Sequence, residues 1–157
     1  MEPFSRYMLY TTPCEYAIRA LAYLARLAPR HPAQRHEIAR SENIPAPILG
    51  KILQGLVRKR LLESRRGPGG GFRLVRRPEL ISLRDVVAAI DGLDHFQECA
   101  VGLERCADDA PCPLHDTWKG LRSQLMHYLE TTTLAQMAAA VERKKQLVQR
   151  RSRRRRP

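Results

Sequence analysis

Two strand-like runs, Leu61-Leu62-Glu63-Ser64 and Phe72-Arg73-Leu74-Val75, enclose the segment Arg65-Arg66-Gly67-Pro68-Gly69-Gly70-Gly71. Glycine adopts positive φ freely and lets backbones approach closely, so this stretch predicts a short β-hairpin. Its tip is flanked by Arg65, Arg66 and Arg73 and could lie against a phosphate backbone or enter a minor groove. No Lys-Ser/Thr pair and no G-x-G-x-x-G accompanies the glycines, which argues against a nucleotide-binding loop.

The residues before the hairpin read as helices. Thr12-Pro13-Cys14-Glu15 predicts a helix start with Thr12 as N-cap, Pro13 in the first turn and Glu15 closing a capping box. Ile18, Leu21, Ala22, Ala25 and Ala28 then recur at helical spacing as far as Pro29. Residues 34–42 predict a short second helix, Asn43 a left-handed turn, and Pro45 to Pro47 the opening of a third helix. That third helix would bury Leu49, Ile52, Leu53 and Leu56, with Ile48 and Val57 at the edges, and turn Gly50, Lys51, Gln54 and Arg58 elsewhere. Two short helices joined by a tight turn, the second with a basic polar face, are the pattern of a helix-turn-helix reader of DNA.

Charge has to be divided before it supports that reading. The 157 residues carry a formal charge of +12, but nine positive charges lie in residues 143–157, where there is no acid, leaving +3 for the rest. A like-charge block of this kind predicts a disordered tail that binds phosphates without specificity. No run of eighteen apolar residues is present, so the expectation is a cytoplasmic protein that does not engage a membrane.

After the hairpin, Ser82-Leu83-Arg84-Asp85 predicts a capped helix ending near Gly92. Cys99, Cys106 and Cys112 follow within fourteen residues, and His115 lies three residues beyond the last. The segment from Glu104 to Pro113 is too polar for core, and three clustered thiols pair poorly as disulfides. Thiolates with an imidazole suit a thiophilic metal or an iron-sulfur cluster. Structural zinc, held by three Cys and one His, remains the alternative, although the C-x6-C and C-x5-C spacings are wide for it. Cys14 reads as a buried residue instead. Pro113 predicts the start of a long helix, with Cys112 as N-cap and His115 at the third position. Leu114, Leu121 and Tyr128 share one heptad position and Trp118, Leu125 and Thr132 another, a seam suited to a second copy of the chain. Thr133-Leu134-Ala135-Gln136 predicts another capping box and a short terminal helix to about Leu147. With no C-x-x-C, nucleotide site or nucleophile-base pair, nothing points to an enzyme.

In this order, the helix-turn-helix, RGPGGGFRL hairpin, IDG helix end, three-cysteine loop and long helix resemble the Rrf-two family of bacterial winged-helix transcription regulators, over roughly residues 8–140. The resemblance implies a mainly α fold with a small β-hairpin wing: a winged helix-turn-helix DNA-binding domain (8–92), a cluster-binding loop (93–112), and a dimerisation helix with a short terminal helix (113–142) before the basic tail (143–157). It also implies a homodimeric regulator, a repressor, on a pseudo-palindromic double-stranded operator, controlled by an iron-sulfur cluster that senses redox, nitric oxide or iron status. IscR-like members hold a 2Fe-2S cluster on three Cys and a His, here Cys99, Cys106, Cys112 and His115. NsrR-like members hold a 4Fe-4S cluster on three Cys and a partner-subunit acid at the position of Glu15. Base reading would fall to Ala46, Pro47, Lys51 and Gln54, with Arg58, Arg65, Arg66 and Arg73, beside Gly69 and Gly70, holding phosphate or the minor groove. Gly50 replaces an acidic side chain of IscR-like proteins, which implies a different operator.

Overall fold

The computed structural model describes residues 9–27, 31–103 and 107–154. Its first helix, α1 (Thr12–Arg26), is the centre of the core. Cys14, Ala17, Ala20, Leu21 and Ala22 are wholly buried along it. α1 is capped by Thr11, whose hydroxyl accepts from the Cys14 N–H at 3.3 Å, and not by Thr12 as the sequence suggests. The reason is tertiary: the Asp91 carboxylate accepts from both the Thr11 N–H, at 2.9 Å, and the Thr11 hydroxyl, so the register of the cap is set from across the domain. Glu15 consequently closes no capping box and stands exposed. The expected continuation through Ala28 to Pro29 falls partly outside the described residues, and the helix itself stops at Arg26.

α2 (Arg35–Glu42) and α3 (Ala46–Arg58) form the helix-turn-helix. Asn43, in the left-handed conformation at φ 51°, reverses the chain between them, as its side chain permits. Leu49, Ile52, Leu53 and Leu56 recur at i, i+3, i+4 and i+7 and are buried against α1, while Ile48 stays exposed and Val57 half-buried. The hairpin follows as β1 (Leu62–Arg65) antiparallel to β2 (Gly71–Leu74), with Leu62 opposite Leu74 and Arg65 opposite Gly71. Ala33 adds a bridge on the far side of β2, exchanging hydrogen bonds with Phe72 at 2.9 and 2.8 Å. The hairpin is thereby fastened to the segment that leads into α2.

α4 (Leu83–Ile90) begins at the Ser82 and Asp85 capping box that the sequence predicts. A short 3-10 turn and the cysteine segment then lead to α5 (His115–Thr131), and Thr132 and Thr133 lead into α6 (Leu134–Arg154). The joint between α5 and α6 is fixed on α4, because the Leu83 N–H donates to the Thr132 carbonyl and the Leu134 N–H to the Ile81 carbonyl. Gln136 and Thr133 form the expected capping box.

α6 departs from expectation in length and role. It does not stop near Leu147 but continues to Arg154, through most of the stretch expected to be disordered, and its first turns lie against α1. Leu134 and Ala138 belong to the core. The physical reason is that a helix already nucleated by packing propagates through Arg, Lys and Gln, which are good helix formers, and that cations suit its carboxyl end.

Glu42, only 4% exposed, ties these pieces together. Its carboxylate accepts from Arg26 of α1 at 2.7 Å, from Lys145 of α6 at 2.9 Å and from Ser41 at 3.2 Å. Arg26 also reaches Glu142 at 2.9 Å. Hydrogen bonds to charged groups contribute about 1.5–3 kcal/mol each when shielded, less for partly exposed partners. Glu42→Ala should therefore lower the unfolding free energy by about 2 kcal/mol in urea titrations, and an unchanged midpoint would show that the network contributes nothing.

Candidate functional site

The exposed side of α3, the first residues of α2 and Phe72 of the hairpin enclose an open groove of about 740 Å³. Pro47, Lys51, Gln54 and Arg58 line it, as the sequence leads one to expect for the reading helix. Ala46 is instead half-buried and packs on the core. Gln34, Arg35 and His36 also line the groove, and sequence reasoning missed them. Their placement depends on the bridge between Ala33 and Phe72, which joins segments far apart in the chain and leaves no local signature.

At the hairpin tip, Arg65 and Arg66 are exposed and pair with no acid among the described residues. Arg73 differs from them: it stands directly opposite Glu63 in the strand register, and its Nε donates to the Glu63 carboxylate at 2.6 Å. It is therefore engaged within the hairpin and not presented alongside Arg65 and Arg66. Gly69 is exposed with φ 70°, whereas Gly70 is buried. A Cβ on Gly70 would stand 2.3 Å from the Arg65 carbonyl oxygen, so only glycine fits. The Gly70 carbonyl accepts from the Gln34 side chain at 2.9 Å, a further tie between wing tip and α2.

The second cluster lies at the start of α5. Cys99 is 8% exposed, and its thiol is held below the ordinary cysteine range, first by the Val101 N–H, then by the Cys112 thiol and the Leu103 N–H, against an opposing contribution from burial. Cys99 and Cys112 are thus brought together across the loop. Cys106 lies outside the described residues. Among the described residues no three His, Cys, Asp or Glu side chains form a cage for a metal ion.

α5 begins at His115, two residues later than Pro113, and its N-cap is Leu114 and not Cys112. Pro113 and Leu114 are used in the turn that the His115 N–H closes on the Cys112 carbonyl at 2.9 Å. His115 is 5% exposed, and its Nε2 lies 2.7 Å from Asp108 Oδ1. Lys119, and then His115 itself, hold the Asp108 carboxyl below its usual range, so the oxygen is an acceptor and Nε2 carries the proton. A carboxylate orienting one ring nitrogen is the arrangement that metal-binding imidazoles use. The chain spacing of Asp108 gave no hint of this partnership. Trp118 Nε1 donates to the Glu98 carbonyl at 3.0 Å and binds α5 to the residue before Cys99.

Cys14 is chemically distinct. Burial, then the nearby Asp91 carboxylate, pushes its thiol up to about 12. Along α5, Leu114, Leu121 and Tyr128 are 50%, 55% and 46% exposed in the single chain, while Trp118 and Leu125 are half-buried.

Residues 10–140 match the family described as Rrf2, iron-dependent transcriptional regulator. The chain belongs to the Rrf2 family. Among Rrf2-like relatives, an Aquifex aeolicus protein described as an HTH-type transcriptional regulator is 32% identical over 129 residues, 81% of this chain and 89% of that one. The HTH-type transcriptional regulator IscR of Aliivibrio salmonicida is 29% identical over 130 residues, 83% of this chain and 77% of that one. In structure, CymR, the global cysteine regulator of B. subtilis, superposes with a TM-score of 0.72 at 23% identity, covering 83% of this chain and 95% of that one, which establishes the winged-helix fold. No helix among the described residues is long and apolar enough to cross a membrane.

Thiol reactivity follows from these environments. In the metal-free protein at pH 8, iodoacetamide should modify Cys99 well before Cys14, as read by peptide mass mapping. Equal rates would contradict the two opposite shifts.

Proposed function

We propose that this Rrf2-family transcriptional regulator is a homodimeric repressor. It binds a pseudo-palindromic operator under the control of an iron-sulfur cluster held by Cys99, Cys106 and Cys112. The observation that carries the reading is the meeting of the Cys99 and Cys112 thiols beside the start of α5, with backbone N–H groups directed at sulfur. Soft donors with N–H groups aimed at them fit such a cluster chemically. His115, oriented by Asp108, and Glu15, exposed on α1 and without a capping role, are the two candidates for the fourth ligand. When bound, the cluster supplies a centre that responds to redox state, nitric oxide or iron supply.

The chain's own residues would carry the response. Trp118 links the Cys99 segment to α5. Leu114, Leu121 and Tyr128, with Trp118 and Leu125 beside them, face the second protomer, and the joint at Thr132 and Thr133 couples α5 to α4. A change in the loop then alters the spacing of the two reading helices, and with it the fit to half-sites about one helical turn apart. Pro47, Lys51 and Gln54, with Ala46 behind them, read bases. Arg58, Arg65 and Arg66 hold phosphate, Gly69 and Gly70 allow the tip to approach the duplex, and Arg73 braces the tip through Glu63.

Anaerobically purified protein should be brown or red, and Cys→Ala at 99, 106 or 112 should abolish the visible spectrum. A colourless protein with stoichiometric zinc would instead establish a structural metal without sensing. Iron-to-sulfide ratios of His115→Ala and Glu15→Ala would assign the fourth ligand. Leu121→Arg should convert the dimer to monomer in sedimentation experiments. Operator affinity should fall about a thousandfold or more between 50 and 200 mM salt, and a flat response would count against phosphate anchoring.

A further inference from the structure

Gly50 lies in the middle of α3, on the side that faces the groove. Glycine weakens a helix interior relative to alanine, so local propensity does not favour it there. What the missing side chain provides is room for Arg35. A Cβ built on Gly50 would stand 3.1 Å from Arg35 Nη1, tighter than most such contacts, and 3.4 Å from its Cδ. The Arg35 side chain therefore lies against the backbone of α3 at Gly50, and it lines the same groove as Pro47, Lys51 and Gln54.

Arg35 is also well supported. It is the first residue of α2, and both residues before it are fastened to the hairpin, Ala33 through its paired hydrogen bonds with Phe72 and Gln34 through the Gly70 carbonyl. Glu37, the acid closest in sequence, is occupied by the Gln34 N–H at 2.6 Å. No acid among the described residues pairs with Arg35. An arginine presents five donors in a planar fork, which match the O6 and N7 acceptors of guanine in the major groove.

We infer that Arg35, passing over Gly50, is a specificity-determining residue that reads a guanine in each half-site. This deepens the DNA-binding reading above and rests on it. The position beside Gly50 in the middle of α3, and not at its last turn where Arg58 stands, favours a base edge over a phosphate. Gly50 leaves room for this placement, since a Cβ there would oblige the Arg35 side chain to give by a few tenths of an ångström.

The test is selection from a random pool of DNA duplexes, carried out with the full-length protein in its anaerobically purified and metal-free forms. Wild type should enrich a site with a strongly preferred G·C pair in each half. Arg35→Ala should lose that preference alone and bind the selected duplex about tenfold to a hundredfold more weakly per half-site, with the other positions unchanged. Arg35→Lys, a point charge without the fork, should recover part of the affinity but not the preference. Gly50→Glu, which supplies a carboxylate to capture Arg35, should lose the same preference. Equal weakening of Arg35→Ala on every duplex, with a shallower salt dependence, would mark a phosphate anchor and overturn the inference, as would unchanged preference and affinity. If wild type itself enriched no duplex, the DNA-binding reading would fall and this inference with it.

Discussion

Burial of α1 is the constraint on which the other elements depend. Its alanines at positions 17, 20 and 22 have no exposed surface, so neighbouring helices approach its backbone closely. α2 and α3 pack on one part of it, α4 on another, and α6 returns over it from the carboxyl end. Apolar burial supplies the main driving force, at roughly 25 cal/mol per Å² removed from water. Two polar clamps then fix how the helices sit: Asp91 grips Thr11 at one end of α1, and Glu42 gathers Arg26 and Lys145 at the other.

That scaffold explains why the groove is a shaped surface and not a chance cleft. The hairpin does not hang from α3 alone. It is stitched to the segment before α2 by Ala33 and to the first residues of α2 by Gln34. α3, the start of α2 and the wing tip are therefore bonded to one another, and Lys51 and Arg58 of α3 line one groove with Arg35 of α2. Arg73 and Glu63 spend their charges on each other across the strands, which stiffens the wing and leaves Arg65 and Arg66 to face outward.

The cysteine site sits where a local change has leverage. Gly92, at φ 76°, ends α4 just after the Asp91 clamp, and the chain then passes through Cys99 and Cys112 to α5. Trp118 fastens that loop to α5, and the far end of α5 is bonded back to the start of α4. The loop is thus joined to α5 near its amino end, while the carboxyl end of α5 is bonded to the start of α4. Leu114, Leu121 and Tyr128 form an exposed line along this element.

Much of this architecture was legible in the chain itself, because it rests on local rules. The i, i+3, i+4 spacing of Leu49, Ile52, Leu53 and Leu56 marks the inner face of α3, Asn43 marks the turn, Ser82 and Asp85 mark a cap, and the glycines mark a hairpin. The meeting of Cys99 and Cys112 in one loop likewise follows from their closeness along the chain. Several features were not legible, and each depends on a partner distant in sequence. Asp91 moved the cap of α1 from Thr12 to Thr11, Glu42 and the α1 surface held a helix in a stretch whose charge argues for disorder, and His115 is buried with Asp108 on its ring. The juxtaposition of Arg35 with Gly50 needed the packing of α2 on α3. Periodicity, turn chemistry and residue softness are properties of neighbours along the chain and can be read from it; cap register, ion-pair choice and which side chain fills a gap are decided by neighbours in space, which only the folded packing brings together.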